Sequence, residues 1–101
     1  MKAPSLDIPY DDLREFCVRH AIRKLALFGS VLREDFAPDS DVDVLVEFKP
    51  GEHVGLIRLG TIEAELSDLL GHRADVNMPD MLGRHFRDEV LAGAETIYDA
   101  A

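Results

Sequence analysis

Apolar residues change their spacing several times along this chain, and each change marks an element. Leu13, Phe16, Cys17 and His20 fall at helical spacing, so a helix is expected from a cap at Asp11 or Asp12 to about His20. Lys24-Leu25-Ala26-Leu27-Phe28 is a short apolar run that stops at Gly29-Ser30, which reads as a buried strand followed by a turn. Ser30 is placed to cap a short helix from Val31 to about Asp35, and Pro38-Asp39-Ser40 is turn chemistry. The period then becomes two: Val42, Val44, Val46 and Phe48 alternate with Asp41, Asp43, Leu45 and Glu47, the pattern of a strand that Lys49-Pro50-Gly51 ends.

The longest helix is expected over about His53 to Leu70, with Leu56, Leu59, Ile62, Leu66 and Leu69 as its apolar stripe and Gly71 as its stop. Arg73 to Met78 reads as a short strand. Pro79 sits where a helix can begin, and Leu82, Phe86 and Val90 face one way along it to about Leu91. Thr96-Ile97-Tyr98 is expected as a last edge strand. Helices and short strands alternate throughout, so helices packed against a small sheet are expected.

Composition narrows the function classes. The 101 residues make one domain, 1–101, with residues 1–9 and their two prolines as an N-terminal arm. Twenty acids against eleven bases give a net charge of −9. Phosphate backbones and anionic membrane surfaces both need surplus Lys and Arg, so neither nucleic acid nor membrane is an expected partner. The start, MKAPSLDIPYDD, has no apolar run after its lysine, and no stretch approaches the ~20 apolar residues of a membrane span. A cytoplasmic protein is the expectation. Cys17, the only cysteine, can form no intrachain disulfide and reads as a small buried hydrophobe. His20, His53, His72 and His85 form no His-x-x-x-His pair, which gives zinc little support. The run Arg84 to Glu89 (RHFRDE) reads as a solvated helix face.

Candidate chemistry lies on the second strand. Asp41 and Asp43 are two apart, so both side chains take the same face. Two carboxylates held ~4 Å apart repel by about 4 kcal/mol at an effective dielectric of 20, and a cation relieves that. Oxygen-only ligands suit Mg²⁺, which takes one or two carboxylates and completes its shell with water and substrate phosphates. Alone, Asp-Val-Asp is commonly a turn-to-strand junction, but its surroundings add to it. Gly29-Ser30 precedes it with ten residues between Ser30 and Asp41, Gly29 permits close backbone approach, and the Ser30 hydroxyl with the amides of the next turn can hold a phosphate. A third acid, Asp75, lies on the next expected strand.

Gly29-Ser30, ten residues, then Asp41-Val42-Asp43 resembles the signature of the polymerase-β-like nucleotidyltransferase superfamily. The stretch LALFGSVLREDFAPDSDVDVLVEF is similar to the minimal nucleotidyltransferases, or MNT domains, and the likeness runs on to the final ETIYDA. The resemblance implies an α+β fold, a small mixed sheet flanked by helices, the polymerase-β-like palm fold. It implies that Asp41 and Asp43 bind two Mg²⁺ ions, and that Asp75 assists one metal and activates the incoming hydroxyl. Gly29 and Ser30 would contact the triphosphate of ATP, and Arg33 matches a basic position able to contact phosphate. The chain departs from the family in having Leu32-Arg33-Glu34 where a small residue and Arg-Gly are frequent.

Little chain is left after the third acid to hold an acceptor, so a docking protein is the expected source of the hydroxyl. The resemblance implies an antitoxin whose partner is a helical HEPN ribonuclease toxin, in a hetero-oligomer with it. The implied reaction moves AMP from ATP to a toxin tyrosine and releases pyrophosphate. Two alternatives stand beside it: a non-catalytic antitoxin that neutralises by covering the toxin, and an enzyme that nucleotidylates a small molecule such as an antibiotic.

Overall fold

The computed structural model describes residues 7–32 and 40–100. These hold three helices and four strands: α1 (Tyr10–Arg19), β1 (Ile22–Phe28), β2 (Val42–Phe48), α2 (Leu56–Leu70), β3 (Ala74–Asn77), α3 (Arg84–Gly93) and β4 (Glu95–Asp99). The strands form one mixed sheet in the order β3-β2-β1-β4. β1 is antiparallel to β2 and β4, and β2 runs parallel to β3, with α2 as the crossover between them. The element order implied helices on a small sheet, and the mixed α+β arrangement is the one that the family resemblance implied.

The alternation on β2 sorts the two faces of the sheet. Val42, Val44 and Val46 are buried with Leu25 and Leu27 of β1 and with Ala74 and Val76 of β3, beneath Leu13, Phe16 and Cys17 of α1 and Leu59, Ile62 and Leu66 of α2. The opposite face carries a smaller cluster, Ala26, Phe28, Leu45 and Val90, with Leu82 and Ala94 packed against it. That second cluster holds α3 over part of the face and leaves the rest to polar side chains. Cys17 is buried as the sequence reading expected, and burial pushes its thiol up to about 12, so it stays protonated.

Several boundaries differ from expectation for local reasons. Neither Asp11 nor Asp12 caps α1; Pro9 takes the cap position without a side-chain bond, and both acids fall in the first turn, beside the positive end of the helix dipole. The short helix expected after Ser30 is a single 3₁₀ turn over Gly29–Leu32, and the remainder, with Arg33 and the Pro38-Asp39 part of the turn, lies outside the described residues. α2 starts at Leu56, not near His53. Leu56 is 86% exposed, and Leu70, not Leu69, completes the buried stripe. Gly71 ends the helix at φ 71°, as a left-handed stop requires. Pro79 opens a 3₁₀ turn (Pro79–Met81), and α3 begins only at Arg84.

Arg58 ties α2 to two other parts of the chain. Its guanidinium donates to the His20 carbonyl at 2.9 Å and the His53 carbonyl at 3.1 Å, pairs with Glu52 at 2.9 Å, and lies 5.5 Å from the centre of the Phe48 ring. Farther along α2, Glu65 receives Arg19 at 2.8 Å and also meets His20, joining the end of α1 to α2. The Arg19 hydrogen bond, and then the His20 one, hold the Glu65 carboxyl below its ordinary value. Arg58→Ala is expected to lower stability by about 1–2 kcal/mol, seen as a lower urea midpoint at unchanged slope. A carboxyl with a depressed folded pKa stabilises above its ordinary value, and the contribution disappears as pH falls through the folded value. Wild type and Glu65→Gln should therefore differ in melting temperature at neutral pH and converge as pH falls below 4.5.

Candidate active site

The strand register gathers the acids. Phe28 of β1 pairs with Asp43 of β2, and Asp43 pairs with Asp75 of β3, so the three lie in one row across the sheet. Neighbouring strands are about 4.8 Å apart, and residues in such a row present their side chains on one face. Because β1 runs against β2 and β3 runs with it, the end of β1 meets the beginnings of both acid-bearing strands. Asp41 stands just before β2 and is exposed, and Val42 N–H donates to the Arg73 carbonyl at 2.8 Å, which starts the β2–β3 ladder beside it. Asp43 is half-buried and Asp75 exposed, on the polar part of the face that α3 leaves uncovered.

Gly29 fits this row for a steric reason. Its φ is +77°, in the left-handed region, and it turns the chain out of β1 into the 3₁₀ turn. A methyl group placed on Gly29 would lie 3.3 Å from the Asp43 carboxyl carbon, 3.5 Å from its Cβ, and closer still to Oδ2. The Asp43 carboxylate thus occupies the space a side chain would take. Ser30 follows, half-buried, and the turn is anchored to the core by the fully buried Val31.

A cleft of about 560 Å³ opens from this corner. Phe28, Gly29, Ser30 and Asp43 line one side, and Phe86, Glu89 and Val90 of α3 line the other. The Phe86 ring meets Phe28 edge-on, with centres 6.4 Å apart and planes at 73°, and is 52% exposed. Sequence reading placed Phe86 on the packed face of its helix and Glu89 on a solvated one. Their i, i+3 spacing puts both on the cleft wall, which no pattern within α3 alone reveals.

Among the described residues, no group of three or more His, Cys, Asp or Glu side chains is placed to hold a metal ion. The acids are instead neighbours in a sheet, with carboxylate oxygens as the only donors and an open side. That donor set suits Mg²⁺, which keeps several waters and shares substrate phosphates. It does not suit zinc, which prefers nitrogen and sulfur ligands closed around it.

Gly29→Ala combines a forbidden conformation with a collision, so a loss of about 1–3 kcal/mol is expected. In a double-mutant cycle with Asp43→Ala, the collision part should vanish while the backbone part remains, giving a coupling energy measurable by urea unfolding.

The comparisons with known proteins agree with this geometry. Residues 11–93 match the family model described as nucleotidyltransferase domain. Over 87 residues the chain is 37% identical to the protein adenylyltransferase MntA of Thermococcus cleftensis, covering 86% of this chain and 81% of that protein. A solved structure described as a minimal nucleotidyltransferase superposes with a TM-score of 0.69 at 33% identity, covering 84% of this chain and 85% of the other. A chain from the structure of a tri-AMPylated Shewanella oneidensis HEPN toxin with its MNT antitoxin superposes with a TM-score of 0.60, covering 89% of this chain and 69% of the other; at 14% identity it shows the shared fold. The acid row, the glycine set against it and the span of the family match lead to one assignment: the chain belongs to the nucleotidyltransferase domain family and has the minimal nucleotidyltransferase fold.

Proposed function

We propose that the protein is an antitoxin that transfers AMP from ATP to a tyrosine hydroxyl of a cognate HEPN ribonuclease toxin and so silences it. The observation that carries this reading is the cross-strand pair of Asp43 and Asp75, with Gly29 packed against Asp43. The adenylyltransferase relative and the neighbouring AMPylated toxin complex support AMP as the transferred group and a HEPN toxin as the partner.

Asp41, Asp43 and Asp75 would hold two Mg²⁺ ions, which supply charge to stabilise the attacking and leaving oxygens. Gly29 and Ser30 bind the β and γ phosphates, because the bare backbone at Gly29 admits close approach and the Ser30 hydroxyl can donate. Arg33 contributes a further phosphate contact. The acceptor oxygen attacks the α-phosphorus, and the bond to the β-phosphate oxygen breaks. Asp75 takes the hydroxyl proton, and pyrophosphate leaves. The toxin supplies the acceptor side, and the two proteins form a hetero-oligomer.

Incubation with ATP, Mg²⁺ and the cognate toxin should add an AMP-sized mass to the toxin. Asp41→Asn and Asp43→Asn should each slow that addition by at least about 100-fold, the usual scale for removing an electrostatic group that acts on the transition state. No mass gain on an active toxin would overturn the proposal, and neutralisation in cells that survives both substitutions would point to binding alone.

A further inference from the structure

β3 is an edge strand of four residues, yet it carries one of the three candidate acids. An edge strand presents a row of outward amides that no neighbouring strand can receive. Here α2 receives them. The Ala74 N–H donates to the Ser67 hydroxyl oxygen at 2.8 Å, and the Val76 N–H donates to the Glu63 carboxylate at 2.9 Å. The Ser67 hydroxyl proton goes to the Glu63 carbonyl at 2.7 Å, which turns the oxygen's lone pairs toward the strand.

The spacing matches for a geometric reason. Residues four apart on a helix are separated by about 6.0 Å along its axis, and residues two apart on a strand by about 6.6 Å. Glu63 and Ser67 therefore stand as two acceptors at nearly the repeat of the amides of Ala74 and Val76. Asp75 lies between those two amides. Its own side chain is on the other face, while Ala74 and Val76 are buried under α2. A slip of one residue would exchange these faces, sending Asp75 into the core and Ala74 toward solvent.

We infer that Glu63 and Ser67 are positioning residues: they fix the register of β3 and thereby set Asp75 beside Asp43. The inference rests on the catalytic reading of Asp75, and its test separates the two. Neither residue reaches the cleft or the acid row, so their effect on the reaction runs through the strand.

The test uses the full chain with ATP, Mg²⁺ and the cognate toxin, together with amide hydrogen exchange of the free protein. In Glu63→Ala, the Val76 amide should exchange at least about tenfold faster, while the Val44 amide in the centre of the sheet keeps its protection. The kcat for AMP transfer should fall about 10–100-fold, as for other residues that orient an active group, with KM for ATP within about twofold of wild type. Glu63→Gln keeps an acceptor oxygen and should return kcat to within about threefold of wild type. Ser67→Ala should release the Ala74 amide in the same way, and Ser67→Thr should restore it. An unchanged Val76 exchange rate, or a wild-type kcat in Glu63→Ala while Asp75→Asn is inactive, overturns the inference. An equal loss in Glu63→Gln and Glu63→Ala also overturns it, because the bond would then not be the cause. If Asp75→Asn transfers AMP at the wild-type rate, the catalytic reading fails first, and the positioning role fails with it.

Discussion

Asp43 and Asp75 stand next to each other on adjacent strands, and like charges so placed repel. A loop would relax and let the charges move apart. A sheet does not, because each acid is tied to a backbone ladder that continues into a buried core. Much of the remaining architecture acts to keep that pair together: valines behind Asp43, helix acceptors behind Asp75, and a glycine where the Asp43 carboxylate needs room.

The two faces of the sheet divide this work. The face under α1 and α2 holds most of the apolar burial and gives the strands their rigidity. The face under α3 is only partly covered, by a small cluster around Leu45 and Val90. Partial cover is what lets one surface carry both a packed helix and an open cleft. Had the second cluster extended along the whole face, Asp43 and Asp75 would have been buried, and charges without solvent or partners are expensive to bury.

Much of this was legible in the residues before any coordinates. The period-two run from Asp41 to Phe48 identified β2 and the face its acids share, and Gly71 marked the end of α2. The Gly29-Ser30 to Asp41 spacing pointed to the site, but the reason Gly29 must lack a side chain was not visible. That reason is a contact between residues fourteen positions apart, created only when β1 and β2 pair. The stripe on α2 misplaced Leu56 because helical spacing continues past the edge of the surface it covers. Glu63 and Ser67 escaped notice because polar residues beside an apolar stripe usually face water. Their partners are main-chain amides, which carry no signature in a sequence.

Cys17 has a practical consequence. It is the chain's sole sulfhydryl, it sits at 0% exposure between α1 and the sheet, and its thiol is held protonated. A disulfide reagent attacks the thiolate and needs access to it, so in the closed molecule both conditions fail together. Labelling has to wait until α1 lifts away, and its rate becomes a clock for that opening. The molecule thus contains a native, single-site reporter on the sheet face opposite the acid row. Whether a bound molecule steadies the whole domain or only the corner around the acid row can be followed without introducing any foreign group.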